Sequence, residues 1–251
     1  MKQSIWIVGG SSGIGLELVK IWLLKGNNVV VSSRNATHAK ELLALQSAYR
    51  SELEIVDIDV RSKESVKESV AQAWERFDGI DLWFYNAGLY EVMSTDAWKL
   101  EHFESMMEVN YMGAVRIMNA VLPYFEAQKF GKWIWNASLS SYFGLPYGGG
   151  YSAPKAALLN LAESIQPEMV KKGIALQVIN HGFVKTRLTE KNSFDMPQLM
   201  LPDEAAKRIV KEIEKPYRFE IHFPFKLSFF LLLLRTVPYK ISLAITKRML
   251  S

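Results

Sequence analysis

The 251-residue chain contains no cysteine. Disulfides, zinc–thiolate sites and a thiol nucleophile are therefore excluded. Histidine is scarce, and His38, His102, His181 and His222 are scattered without metal-ligand spacing, so no metal site is expected. No basic-then-apolar leader precedes Ile5-Trp6-Ile7-Val8, which makes a cytoplasmic protein the expectation. The longest apolar run, residues 227–234, is too short to cross a bilayer. Acidic residues are missing from position 221 onward, where the charged residues are Lys226, Arg235, Lys240, Lys247 and Arg248. Removing those five from the 30 basic residues leaves 25 against 26 acidic, so the net charge of +4 belongs to the tail. No basic patch with interleaved aromatics points to a nucleic acid.

What the chain does have is a 49% hydrophobic composition, enough for a substantial core. Short apolar runs at 5–8, 28–31, 53–56, 82–85, 132–136 and 175–179 read as strands. Between them lie helical-period segments such as Val66, Val70, Ala73, Trp74 and Phe77. This βαβα rhythm predicts an α/β fold, a doubly wound parallel sheet with helices on both faces. No linker interrupts residues 1–223, which read as one domain, with 224–251 as a basic, apolar C-terminal extension. Residues 187–201 break the rhythm. They carry Leu188, Phe194, Met196, Pro197, Leu199 and Met200 ahead of a helix expected over 202–214, and predict a lid.

The first strand runs into Val8-Gly9-Gly10-Ser11-Ser12-Gly13-Ile14-Gly15. Glycines at 9, 13 and 15 permit a tight turn and close backbone approach, and a helix opening near Gly13 offers free N–H groups to a pyrophosphate. The second strand ends at Ser33-Arg34, where NAD enzymes place a carboxylate for the ribose 2′-hydroxyl. A guanidinium there suits a 2′-phosphate, so Arg34 predicts NADP(H). Tyr151 and Lys155 lie four apart, on one face of a helix, where a cation lowers a phenol's pKa and suits it to general acid/base work.

Taken in order, these motifs resemble the short-chain dehydrogenase/reductase family over residues 1–223. The resemblance implies a Rossmann-type sheet of about seven strands. It also implies an NADP(H)-dependent oxidoreductase acting on a carbonyl or secondary alcohol. The turn residues Gly9, Ser11, Ser12, Gly13, Ile14 and Gly15 match the family's cofactor turn. Ser33, Arg34, Asp59 and Val60 match its adenosine end, with Asp59 facing the adenine. Asn86-Ala87-Gly88 match the turn after the fourth strand, and Gly182, Val184 and Thr186 the segment along the nicotinamide. Ser138, Tyr151 and Lys155 match the catalytic serine and the Tyr-xxx-Lys pair, and Asn110 the asparagine that holds a relay water. Ser138 is preferred over Ser140 and Ser141 because it precedes Tyr151 by thirteen residues and Gly144 by six, as in the family.

Some positions depart from the family pattern. Val8 replaces a threonine, Tyr85 an asparagine and His181 a proline. Pro154 is expected in the first turn of its helix, and Pro167 is expected to kink or shorten it. The resemblance further implies a homodimer or homotetramer. The tail permits a peripheral membrane contact or packing on its own domain or a second subunit, and residues 239–250 show no clean apolar face. Two other readings stand beside the leading one: a lipid or fatty-acyl ketone reductase at a membrane surface, and a non-catalytic cofactor-binding regulatory protein.

Overall fold

Alternating bulky side chains on the strands fix the centre of the molecule. The computed structural model of the chain describes residues 2–192 and 194–250. Among them, seven strands form one parallel sheet in the order β3-β2-β1-β4-β5-β6-β7. The strands are β1 (Ser4–Val8), β2 (Asn28–Ser33), β3 (Leu53–Asp57), β4 (Leu82–Tyr85), β5 (Gly131–Asn136), β6 (Ile174–His181) and β7 (Glu220–Phe223). Register places Trp6 beside Trp83 and Trp83 beside Trp133, so three indoles run across one face of the sheet. Trp83 and Trp133 meet edge to face at 5.3 Å. Ile5, Ile7, Phe84 and Ile134 point to the opposite face, as a two-residue period requires.

Each face is covered by helices. α1 (Gly13–Leu24), α2 (Lys40–Ala48) and α7 (Pro202–Ile213) cover the isoleucine face. α3 (Lys63–Arg76), α5 (Gly113–Gln128) and α6 (Gly149–Lys171) cover the indole face. α4 (Leu100–Met107) runs into α5 through a π-helical turn at Glu108–Met112. The chain order reverses direction between β1 and β4, so the crevice for a ligand opens at the carboxyl ends of those strands.

Two expectations about α6 are corrected. The helix begins at Gly149, which puts Pro154 in the second turn rather than the first. It also runs through Pro167 to Lys171 without being shortened. One missing N–H costs a single bond in a long helix whose Leu158, Leu159, Ala162 and Met169 are packed in the core, and packing outweighs the loss.

The tail forms α8 (Phe225–Thr236) and α9 (Tyr239–Lys247). Leu231 and Leu234 join the core on the indole face. On α9 the buried positions are Ser242 and Thr246, whose hydroxyls bond back to Tyr239 and Leu243 carbonyls. Small polar residues facing inward explain why no apolar face is legible over 239–250. Among the described residues no helix is long and apolar enough to cross a membrane.

Candidate active site

The turn after β1 is pressed against the turn after β4. Gly9 has φ +89°, and a Cβ there would lie 2.5 Å from the Ala87 nitrogen. Only glycine fits both constraints. A Cβ on Gly15 would lie 2.2 Å from the Gly9 carbonyl oxygen, so Gly15 lets α1 pack onto the turn rather than touching a ligand. Ser12 is the N-cap of α1 but does not cap it, and the first turn carries no acidic side chain. The N–H groups and dipole of α1 therefore face the cleft, which suits a phosphate.

A cleft of about 2080 Å³ opens over these strand ends. Its wall includes Gly9, Ser11, Ser12, Gly13 and Ile14 from the turn, Ser33 and Arg34 from the end of β2, and Asp59 and Val60 from the segment after β3. Asn86, Ala87 and Gly88 line its floor, and Ser138, Tyr151, Lys155, Gly182, Val184 and Thr186 its other half. Gly15 and Asn110 are not on the wall. After β3, Arg61 grips the Asp59 carboxylate through Nε at 3.0 Å and a terminal nitrogen at 2.6 Å. This bond, with help from Arg34, holds the Asp59 carboxyl down at about 2. Two guanidiniums, Arg34 and Arg61, thus share one carboxylate at the cleft edge.

A chain of hydrogen bonds connects the glycine turn to Lys155. Asn86 Nδ2 donates to the Gly9 carbonyl at 2.7 Å, and Asn136 Nδ2 donates to Asn86 Oδ1 at 2.7 Å. Lys155 Nζ donates to the Asn136 carbonyl at 2.7 Å. Asn136 lies at the carboxyl end of β5, where ligand sites of such sheets are built, and that placement was the available signal for it. Its Oδ1 and the Ser140 Oγ are buried without a partner among the described residues, and both residues lie on the cleft wall. The uncapped helix end, the glycine cradle, the two guanidiniums and these orphaned acceptors fit a phosphorylated dinucleotide.

Ser138 separates from its rivals by its contacts. Its backbone N–H donates to Asn180 Oδ1 at 3.2 Å and its hydroxyl hydrogen-bonds the Tyr151 phenol. Ser141 is turned away to the Ser138 carbonyl and to Asn180. Asn180 is in turn held by Glu220 on β7, at 2.5 Å. Burial pushes the Tyr151 phenol up to about 12, and the Ser138 bond offsets part of that. This corrects the expectation of a lowered phenol. Lys155 Nζ lies 5.7 Å from the Tyr151 ring centroid, tied to Asn136, and burial wins over its charge. Lys155 itself, 3% exposed, is lowered by burial to about 8.

Asn110 sits in the π-turn and acts on the neighbouring loop. Its Oδ1 accepts from the Leu89 N–H at 2.7 Å and its Nδ2 donates to the Leu89 carbonyl at 2.8 Å. Each side-chain group thereby makes one bond to the Leu89 main chain, which fixes the loop against the π-turn. Tyr85 supports the same turn, because its hydroxyl donates to the Val109 carbonyl. The loop so pinned carries Tyr90, whose ring meets that of Tyr151 edge to face at 4.9 Å. Tyr90 then reaches into the 187–201 segment and donates to Asn192 Oδ1 at 2.9 Å. Lys191 and Glu91 form a second tie at 2.6 Å. Tyr90 and Asn192 were not legible as a pair, being 102 residues apart.

His181 ends β6 on the cleft wall. Its Nδ1 lies 2.7 Å from the Gly182 carbonyl, which requires the hydrogen on Nδ1 and leaves Nε2 as an acceptor. Burial lowers the ring to about 4, and the Lys155 charge acts the same way against the Gly182 bond. Gly182 packs against the tail, since a Cβ there would lie 2.8 Å from Pro224. Val184 bridges to Met200, which closes the base of the lid segment. Thr186 lies beside Gly13 and so brings the two halves of the cleft together.

Residues 3–196 match the family model described as short chain dehydrogenase. An uncharacterized oxidoreductase of Staphylococcus haemolyticus is 30% identical over 210 residues, spanning 84% of this chain and 90% of that one. An uncharacterized oxidoreductase of Myxococcus xanthus is 30% identical over 223 residues, spanning 88% and 87%. Among solved structures, a short chain dehydrogenase of Burkholderia cenocepacia in complex with NADP has a TM-score of 0.83 at 22% identity, covering 100% of this chain and 98% of its own. An alcohol dehydrogenase of the archaeon Thermococcus sibiricus, complexed with 5-hydroxy-NADP, has a TM-score of 0.77 at 26% identity, covering 88% and 95%.

Proposed function

The chain belongs to the short chain dehydrogenase family, and on that footing we propose that it is an NADP(H)-dependent oxidoreductase interconverting a carbonyl and a secondary alcohol. The observation that carries this is the placement of Ser138, Tyr151 and Lys155 on one wall of the cleft whose other half is the glycine turn. The turn residues 9–14 would hold the pyrophosphate, and Arg34 with Arg61 the 2′-phosphate. The two solved relatives bound to NADP compounds support the same choice. Gly182, Val184 and Thr186 would border the nicotinamide, which supplies or accepts hydride.

The chain's own residues manage the proton. A phenol raised to about 12 is neutral at physiological pH, so Tyr151 is an uncharged acid catalyst that holds its proton for a developing alkoxide. Ser138 can donate to the same oxygen as negative charge builds on it. Lys155 places a positive charge behind the pair. The gathered triad weighs against a non-catalytic regulatory role. The test is NADPH consumption across ketosteroids, acyl ketones, quinones and sugars, compared with NADH. Equal use of NADH, or none of either with any carbonyl, would refute the proposal.

A second reading concerns the substrate. Leu145, Phe183, Phe194, Leu227 and Phe230 line the cleft on the catalytic side, which favours an apolar carbonyl such as a lipid or fatty-acyl ketone, met at a membrane surface. The homodimer or homotetramer is proposed through α4 and α5, where Leu100, Met107 and Tyr124 stay exposed, with Trp98 just before α4. Gel filtration with light scattering tests it.

A further inference from the structure

The tail presents two opposed faces. On α8 the inner residues Ser228, Leu231 and Leu234 are buried, and Ser228 meets the His222 ring at 2.8 Å. The outer residues Phe225, Phe229 and Leu233 are 68%, 58% and 48% exposed. Their spacing of four sets them in one row along the helix. The Phe225 and Phe229 rings stack at 6.1 Å. On α9 Tyr239, Ile241 and Leu243 are also exposed, spread around the helix and not in one row.

An apolar row of this kind is costly in water, and the helix is already fixed by its inner face. Cations surround it: Lys226, Arg235, Lys240 and Lys247 are exposed on the same two helices. No acidic residue occurs from position 221 to the end. A second copy of the chain is a poor occupant, because a two-fold contact would set this one-signed face against itself. An anionic bilayer answers both features, with head groups for the cations and acyl chains for the aromatic row. At 12 residues α8 is about 18 Å long, too short to span about 30 Å of hydrocarbon, so it would lie in the interface.

The position of the tail gives this surface a purpose. Lys226, Leu227, Phe230, Met249 and Leu250 belong both to the tail and to the rim of the cleft. We infer that α8 and α9 dock the protein on an anionic lipid surface and hold the cleft mouth against it, so that an apolar carbonyl enters from the bilayer. This rests on the lipid-carbonyl reading of the cleft but is tested apart from it.

The experiment is co-sedimentation of the full chain with vesicles of phosphatidylcholine, with or without phosphatidylglycerol. The anionic vesicles should bind it, phosphatidylcholine alone should not, and about 0.5 M salt should release it. A Phe225→Ser, Phe229→Ser, Leu233→Ser variant should lose about tenfold or more of the binding while keeping wild-type NADPH affinity. A second variant, Lys240→Glu with Lys247→Glu, should lose it without touching the apolar row. Binding that ignores lipid charge, or that survives in both variants, overturns the inference. So does a triple variant that changes the oligomeric state, since the row would then be a subunit interface. Loss of NADPH affinity or of carbonyl turnover in the unmodified chain would instead count against the oxidoreductase reading.

Discussion

The ring of Tyr90 stands edge-on to that of Tyr151, with centroids 4.9 Å apart and planes at 82°. Its hydroxyl donates to Asn192, so one side chain touches both Tyr151 and the 187–201 segment. Tyr90 is therefore a positioning residue, set by Leu89 and Asn110 behind it.

Tyr90→Phe keeps the ring and loses the Asn192 bond. A net hydrogen bond of about 0.5–1.5 kcal/mol predicts a KM for the carbonyl raised about two- to tenfold, with kcat little changed. Asn192→Ala should do the same. Steady-state kinetics decide it, because a purely structural defect would lower kcat in step with folded enzyme and leave KM alone.

Arg34→Asp should lower the preference for NADPH over NADH by roughly ten- to a hundredfold, since charge-assisted bonds to phosphate are the strong ones. Arg61→Ala should lower it less, because Arg61 is already shared with Asp59. Binding titrations of the two cofactors report both.

Reductive turnover should fall as pH rises through about 8. Lys155 is protonated below that value and neutral above it, so the positive charge behind Tyr151 is lost on the alkaline side. Tyr151, raised to about 12, stays protonated across the same range and does not set the limb. Lys155→Arg should retain the charge and move the limb to higher pH in a kcat profile.

His181 should cost stability in acid. Its value falls from 6.5 to about 4 on folding, so between those values the unfolded chain binds the extra proton. The contribution is present above pH 6.5 and is lost as pH drops toward 4, by about 2 kcal/mol given that the ring keeps contact with the cleft. Urea unfolding at pH 7 and pH 4.5 should show a smaller acid loss in His181→Gln than in the wild type.

Local signals made most of the fold legible. The apolar run Ile5-Trp6-Ile7-Val8 and its five companions marked β1 to β6, and the glycine turn marked the reversal between β1 and β4. Glu220–Phe223 escaped notice as β7 because only Ile221 and Phe223 are apolar in a four-residue strand. The cleft residues carried by motifs, from Gly9 to Thr186, converge as the spacing implied, apart from Gly15 and Asn110, which act one layer behind the wall. Tyr90, Asn136 and Asn192 escaped because their roles arise from contacts between distant segments. The direction of the Tyr151 shift was misjudged for a related reason. Spacing along a helix reveals a nearby cation, whereas burial depends on the loops that close over it.

The central claim is that Tyr151 delivers the proton to a carbonyl reduced by NADPH. The direct measurement pairs NADPH binding by fluorescence with NADPH consumption on the best carbonyl of the panel, for the wild type and Tyr151→Phe. The account predicts unchanged binding and turnover lowered at least about a hundredfold, the scale of a lost general acid. Turnover in Tyr151→Phe equal to that of the wild type would contradict it.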